Sequence, residues 1–273
     1  MATETVDEST LAWVKPYYTR AGEYWDPTGV EQQHLDRLAT MVRLCGPGPH
    51  RVLELGAGTG EAAVAMADAG HSVVALDFSP TRANNIELLA RKRRKGDLTA
   101  IRADFYTVDL NREFDVVCYW DGFGVGSDSD QRRLLKRIAH EWLKPGGCAL
   151  VDVFSPFRWV NETGKVWNLD RNHPSHRFKQ RRSFDYDPIN SRFLDTWCPI
   201  DDETGEPNES MAITQKIRCY TPGDLQLLLE GTGLALEIME INEVAFTGGS
   251  LTETKTHPLW TAWSYLAKLS VKM

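Results

Sequence analysis

Glu54, Gly56, Gly58, Gly60 and Asp77 are the residues of this 273-residue sequence whose types and spacing point most directly to chemistry. The glycines occupy alternate positions after the apolar run Val52-Leu53-Glu54-Leu55, and the alanine-rich stretch Glu61 to Ala67 follows them. An apolar run that stops at glycine reads as a buried parallel strand entering a tight turn, and the alanine-rich stretch reads as a helix. Glycine permits positive φ and lets a ligand approach where a Cβ would collide. The free N–H groups that open the helix then point at whatever lies over the loop. This is the pattern of a nucleotide-cofactor loop, with an ordinary strand-to-helix turn as the plainer alternative. A second strand, Val73-Val74-Ala75-Leu76, ends in Asp77, where an acid about 20 residues beyond the loop accepts hydrogen bonds from ribose hydroxyls. A cap for the helix that starts after Ser79 is the structural alternative for Asp77.

The elements that must hold these residues follow from periodicity. Residues 29–45, with Leu35, Leu38, Met41 and Val42 at helical spacing, predict a helix covering the sheet. Ser79-Pro80 starts another, which ends in the cations Arg91 to Lys95. Strands are predicted near 51–55, 72–77, 99–103, 114–119 and 148–153, with a helix from about Ser129 to Trp142 before the last of these. Strands alternating with helices predict a doubly wound parallel sheet, with ligands at the carboxyl ends of its strands. Residues 155–217 break the pattern: no helix is predicted there, and aromatic alternation on either side of Asp187-Pro188-Ile189-Asn190 predicts an antiparallel β insertion. A capped helix from Thr221 and strands near 234–241 and 262–269 close the chain, with a short helix over Leu259 to Leu269 as the alternative to the last strand.

Composition narrows the function. With 42% hydrophobic and 25% charged residues the chain can bury a substantial core, and its net charge of −7 gives no general attraction for nucleic acid. The five cysteines are scattered without C-x-x-C spacing, so they predict reduced thiols, neither a disulfide framework nor a zinc site. Residues 1–7 are polar and acidic, unlike a signal peptide, and no apolar run is long enough to span a bilayer. A cytoplasmic enzyme without a bound metal is the expectation.

The combination Glu54-Leu55-Gly56-Ala57-Gly58-Thr59-Gly60 with Ala75-Leu76-Asp77 resembles the class I S-adenosylmethionine-dependent methyltransferases. The G-x-G-x-G spacing differs from the G-x-G-x-x-G of dinucleotide enzymes. Asp104-Phe105 after the third strand and Leu143-Lys144-Pro145-Gly146-Gly147 before the fifth match the family in the expected order. So does Arg218 to Leu225 at the start of the late helix. The resemblance covers most of residues 10–155 and 218–269 and implies a seven-stranded, mostly parallel α/β sheet of Rossmann-like type. The core is then 1–154 with 218–273, the β-rich acceptor-binding insertion 155–217, and the closing segment 10–28.

The resemblance also implies roles. Glu54 orients the cofactor's amino group, with a purely structural acid as the alternative, and Gly56, Ala57, Gly58 and Gly60 admit its methionine tail. Asp77 holds the ribose, with Phe78 on the adenine. Asp104 receives the adenine amino group and Phe105 caps the ring; the alternative for Asp104 is a simple turn acid. The aromatic stretch Lys15 to Asp26 resembles a segment that closes over the cofactor, in which Tyr18 donates to the methionine carboxylate and Tyr17 or Trp25 walls the site. A helix packed by its own aromatics is the equal alternative. After the fourth strand stand Trp120-Asp121-Gly122-Phe123, where base and glutamine N-methyltransferases carry an Asp/Asn/Ser-Pro-Pro-aromatic motif. That difference argues for a small-molecule acceptor, a sugar, amine or phenolic group of a bacterial secondary metabolite methylated at N or O. Trp120 and Asp121 then face the methionine end, and Phe123 borders the acceptor or belongs to the core. Trp159 and Trp167 are further candidates for acceptor contact. Asp121, His173, His176 and Glu162 are candidate bases, although His173-Pro174-Ser175-His176 reads more readily as a surface loop. The insertion also offers a surface through which two copies can pair. The competing readings are an NAD(P)-dependent oxidoreductase, a non-catalytic partner subunit built on a cofactor fold, and a methyltransferase with a protein or RNA acceptor, RNA being the weaker of these two on charge.

Overall fold

The computed structural model describes residues 12–111, 113–170, 175–246 and 257–272. Among the described residues two helices precede the first strand: α1, Val14–Tyr24, and α2, Gln32–Cys45. The parallel part of the sheet is built from β1 (Arg51–Leu55), β2 (Ser72–Asp77), β3 (Asp97–Arg102), β4 (Phe114–Phe123) and β5 (Leu143–Phe154). Between them run α3 (Glu61–Ala69), α4 (Pro80–Ala90) and α5 (Asp128–Arg137), which continues as a wider π turn over Ile138–Trp142. After β5 come α6 (Pro156–Glu162), the strands β6 (Val166–Leu169), β7 (Gln180–Asp187), β8 (Arg192–Pro199) and β9 (Ile213–Arg218), and α7 (Pro222–Leu228). The strands β10 (Leu234–Ile241), β11 (Val244–Phe246) and β12 (Ser264–Val271) complete the chain.

One sheet has the order β11-β10-β12-β5-β4-β1-β2-β3 and the other β6-β7-β8-β9. In the first, β3, β2, β1, β4 and β5 run parallel, while β12, β10 and β11 are antiparallel. The strand order reverses between β1 and β4, which opens a crevice at the carboxyl ends of these strands. The second sheet is wholly antiparallel. This is the mostly parallel Rossmann-like sheet with an antiparallel insertion after strand five that the sequence predicts. Its one addition is β11, a three-residue eighth strand turned back on β10 at Asn242 and Glu243, both at positive φ.

Alternation along the strands distributes the core over both faces. Leu53, Leu55, Val74 and Leu76 pack on one side with Leu134, Leu135, Ile138 and Trp142. Val52, Val73 and Ala75 pack on the other with α3 and with Met41 of α2. Two local expectations need correction, and a third is borne out. The inward stripe of α2 is His34, Leu38 and Met41, and Leu35 turns outward at 43% exposure, because one residue moves the side chain about 100° around the helix. Residues 155–217 do contain a helix, α6, whose seven residues are too few to establish a period. The segment after Leu259 resolves as the strand β12, whose backbone groups pair with β5 on one side and β10 on the other.

The second sheet is fastened by aromatic packing. Trp159 of α6 stacks on Phe193 of β8 at 3.7 Å between ring centroids, and Trp167, Phe184 and Trp263 surround them. Helix α1 is tied to this sheet and its flanking turns by polar contacts: Gln215 of β9 donates to the Tyr18 hydroxyl at 3.2 Å, Arg20 donates to the carbonyl of Met211 in the turn before β9 at 2.8 Å, and Trp25, just past the helix, forms a β-bridge with His176.

Candidate functional site

The ends of β1, β2 and β4 open into a cavity of about 980 Å³ roofed by α1. Its lining includes Tyr17, Tyr18, Trp25, Glu54, Gly56, Ala57, Gly58, Asp77, Phe78, Asp104, Phe105, Trp120 and Asp121, thirteen of the positions singled out in the sequence.

The loop geometry follows from its glycines. Gly58 has φ +59° and a Cβ there would meet no protein atom within 4 Å, so the main chain lies bare beside the cavity. Gly60 serves packing instead: it stands outside the lining, and a Cβ on it would sit 2.8 Å from Ile86 of α4. Asp77 ties the loop down, its carboxylate accepting the Gly58 N–H at 2.9 Å and the Ser79 N–H at 2.8 Å. Both the ligand-facing and the helix-starting readings of Asp77 therefore have a geometric basis, since each carboxylate oxygen keeps a second lone pair. Ser79 makes no side-chain cap bond of its own.

Glu54 is the electrostatic centre. It is buried at 3% exposure, and burial pushes its carboxyl up to about 8 against the pull of the Arg37 charge. Its Oε2 has no hydrogen-bond partner. A buried carboxyl oxygen left unmatched at a cavity wall is costly unless a cationic donor arrives. Arg37 of α2 pairs with Asp121 and lies 5.5 Å from the centre of the Trp120 ring. Asp121 itself sits at φ +53°, a conformation uncommon outside glycine, in an irregular stretch of β4 that re-aims its side chain toward α2. Asp104 accepts the Tyr106 N–H at 2.8 Å within a turn and lines the cavity as well.

Aromatic side chains form the remaining walls. Tyr18 meets Phe78 edge-on at 5.9 Å, and its hydroxyl accepts from Gln215 of β9 at 3.2 Å. Phe105 packs on Tyr119 at 5.5 Å. Burial pushes the phenols of Tyr17, Tyr18, Tyr106 and Tyr119 above their usual value.

Several candidates lie elsewhere. Phe123 is fully buried against Tyr220 and Tyr119 in the core, and Trp159 and Trp167 belong to the cluster that fastens the second sheet. His176 stands in the bridge to Trp25, and Glu162 is buried between Arg158 and Lys165 at 2.7 and 3.1 Å. His173 lies outside the described residues. Conversely, His34, Arg37, Glu61, Arg82 and Gln215 line the cavity without having been read from the sequence. For His34 and Arg37 a signal existed: they stand one turn apart, polar, on the inward side of a helix that otherwise covers apolar sheet.

Residues 52–147 match the family model described as methyltransferase domain. The chain is 36% identical over 114 residues to the cypemycin N-terminal methyltransferase of a Streptomyces species, a stretch covering 41% of this chain and 45% of that protein. It is 37% identical over 120 residues to the demethylmenaquinone methyltransferase of Renibacterium salmoninarum, covering 42% and 47%. The chain thus spans about half the length of the curated relatives it matches. Among solved structures it resembles the CcbJ methyltransferase of Streptomyces caelestis, with a TM-score of 0.73 at 18% identity over 94% of this chain and 98% of that one. At that identity the likeness is one of fold.

Proposed function

We propose that this chain, a class I S-adenosylmethionine-dependent methyltransferase by its domain over residues 52–147 and its strand order, methylates a small-molecule acceptor of the natural-product kind at N or O. The observation that carries the reading is the unpartnered, buried Oε2 of Glu54 beside the bare main chain of Gly58. The ammonium group of S-adenosylmethionine meets that demand. Asp77 is suited to the ribose hydroxyls, Asp104 to the adenine amino group, and Phe78 and Phe105 to the faces of the base. Tyr18 is suited to the methionine carboxylate, with Tyr17 and Trp25 as walls. Bound there, the cofactor supplies a methyl group already activated by a positive sulfur.

The chain's own residues then orient and enclose. Holding an acceptor at near-attack distance is worth about 7–11 kcal/mol in favourable systems. The aromatic roof of α1 excludes water, which strengthens each polar contact beneath it. An amine is the acceptor this lining serves best. The buried tyrosines keep their protons at neutral pH, and His34 Nδ1 is already engaged by the Glu31 N–H. An alcohol needs a base, whereas an amine is partly deprotonated in water before it enters. The relative from Streptomyces, a cypemycin N-terminal methyltransferase, supports this choice. The second sheet serves as the acceptor side of the site, and the exposed Val160 and Val166 beside it support pairing of two copies there. We place the chain in the cytoplasm on the scattered spacing of its five cysteines. Among the described residues no helix is long and apolar enough to cross a membrane. Calorimetry with S-adenosylhomocysteine and NADH tests the reading: homocysteine-adduct binding without NADH binding supports it, and the reverse favours the oxidoreductase.

A further inference from the structure

Helix α2 ends in a thiol, and the strand beneath it carries another. Cys45 is the last residue of α2 and Cys148 lies in β5, 103 positions further along the chain, yet their Sγ atoms are 2.6 Å apart. Cys148 is held in place by its neighbours, pairing with Val116 of β4 on one side and Ser270 of β12 on the other. It is buried at 8% exposure, whereas Cys45 is half-buried, so the pair meets solvent at the margin of the core. The two sulfurs also differ in character. Donation from the Cys45 thiol and the charge of Lys268 on β12 bring the Cys148 thiol below its usual value, and the same contact raises Cys45. Cys118 of β4, in the same apolar cluster, is fully buried, and burial raises its thiol. A thiolate beside a protonated thiol is the arrangement that a two-electron oxidant closes.

We propose that Cys45 and Cys148 form a redox modification site, at which a peroxide joins them in a disulfide that fastens the end of α2 to β5. The Cys148 thiolate attacks one peroxide oxygen, the O–O bond breaks, and Cys148 becomes a sulfenic acid. The Cys45 sulfur gives up its proton and attacks Cys148 Sγ, forming the S–S bond as the S–O bond breaks. Two thiols and one hydrogen peroxide thus yield one disulfide and two waters, and a thiol reductant reverses the change. In a reducing compartment the pair rests as thiols and closes only on exposure to oxidant. The bridge closes a long loop and so chiefly restricts the unfolded chain. Because α2 also carries Arg37 to the cavity, the bridge fixes one wall of the site.

Thiol counting and peptide mapping on the full chain test this. The protein is exposed to a small excess of hydrogen peroxide, the oxidant is removed with catalase, and thiols are counted after unfolding. The five thiols are expected to fall to three, with Cys45 joined to Cys148 in the unreduced digest, and dithiothreitol is expected to restore all five. The oxidised protein should melt about 10 °C higher than the reduced one. Cys45→Ser and Cys148→Ala should each abolish the bridge and the shift, whereas Cys118→Ala should keep both. Five thiols persisting after peroxide overturn the inference. So do separate sulfinic or sulfonic acids without a cross-link, a bridge to Cys118 instead, or a bridge that leaves the melting temperature unchanged.

Discussion

Replacing Glu54 with glutamine separates the cost of this site from its use. In the folded chain burial holds the Glu54 proton up to about pH 8, whereas an ordinary glutamate releases it near 4.5. The folded state therefore binds more protons than the unfolded state across that interval, and stability falls as pH rises through it. At 1.36 kcal/mol per pH unit the full interval corresponds to about 5 kcal/mol. Glutamine keeps the shape and has no charge to bury, so the Glu54→Gln protein should lack this fall. Urea unfolding of both proteins at pH 5, 6, 7 and 8 reads the difference. The gap between them should widen toward alkaline pH by several kcal/mol, with the variant the more stable at pH 8. Cofactor affinity should move the other way. Binding of S-adenosylhomocysteine at pH 7 should release close to one proton from the unaltered protein and none from the variant, measured by calorimetry in buffers of different ionisation enthalpy. Stability profiles that run parallel within about 0.5 kcal/mol would refute the burial argument, because acidic groups elsewhere are common to both proteins.

Asp77→Ala removes the acceptor for the Gly58 and Ser79 N–H groups. Hydrogen bonds to a charged group are worth about 1.5–3 kcal/mol each, so urea unfolding should show a loss of a few kcal/mol and calorimetry at least a tenfold weaker S-adenosylhomocysteine complex. Gly58→Ala, with no protein atom in the way but φ at +59°, should cost about 1 kcal/mol of stability and reduce cofactor affinity more than tenfold; unchanged affinity removes the loop from the binding surface. Trp159→Ala empties the stack on Phe193 and should destabilise by about 3–5 kcal/mol while S-adenosylhomocysteine affinity of the folded protein stays within a few-fold.

What the sequence reveals and what it hides divide along physical lines. Strand ends are legible because an apolar run, a glycine and an acid are all local features, and β1, β2 and β4 bring Glu54, Gly58, Asp77 and Trp120 to one crevice as their order demands. The aromatic insertion is legible as sheet but not in its contacts. Trp159 and Trp167 suit an acceptor wall by residue type, yet the same large rings fasten the second sheet to the core, and nothing local distinguishes the two uses. Phe123 is hidden for a related reason: the irregular pairing between Tyr119 and Phe123 determines which residue of Trp120 to Phe123 faces the cavity. Arg37 joins the site through an ion pair spanning 84 residues, a distance that no window of periodicity covers.

The grouping around Arg37 explains why such a site is built at the expense of the empty fold. Glu54, Asp121 and Asp152 all direct negative charge at this one guanidinium, and burial pushes Asp152 up to about 7 as it does Glu54 to about 8. One cation cannot satisfy three acids, so in the uncombined protein Glu54 keeps its proton up to about pH 8, and a cationic group arriving at the end of β1 takes the place of that proton. A ligand present at 100 times its dissociation constant stabilises the fold by about 2.7 kcal/mol, which offsets roughly half of the full-interval figure for Glu54. A cationic cofactor is then more than a substrate for this cavity: it supplies charge that the helix above it lacks, and discrimination against neutral nucleosides follows from the same deficit. Adding a second permanent cation from the protein would stabilise the empty state and weaken the distinction between filled and empty, which gives a physical reason for leaving Glu54 Oε2 without a partner.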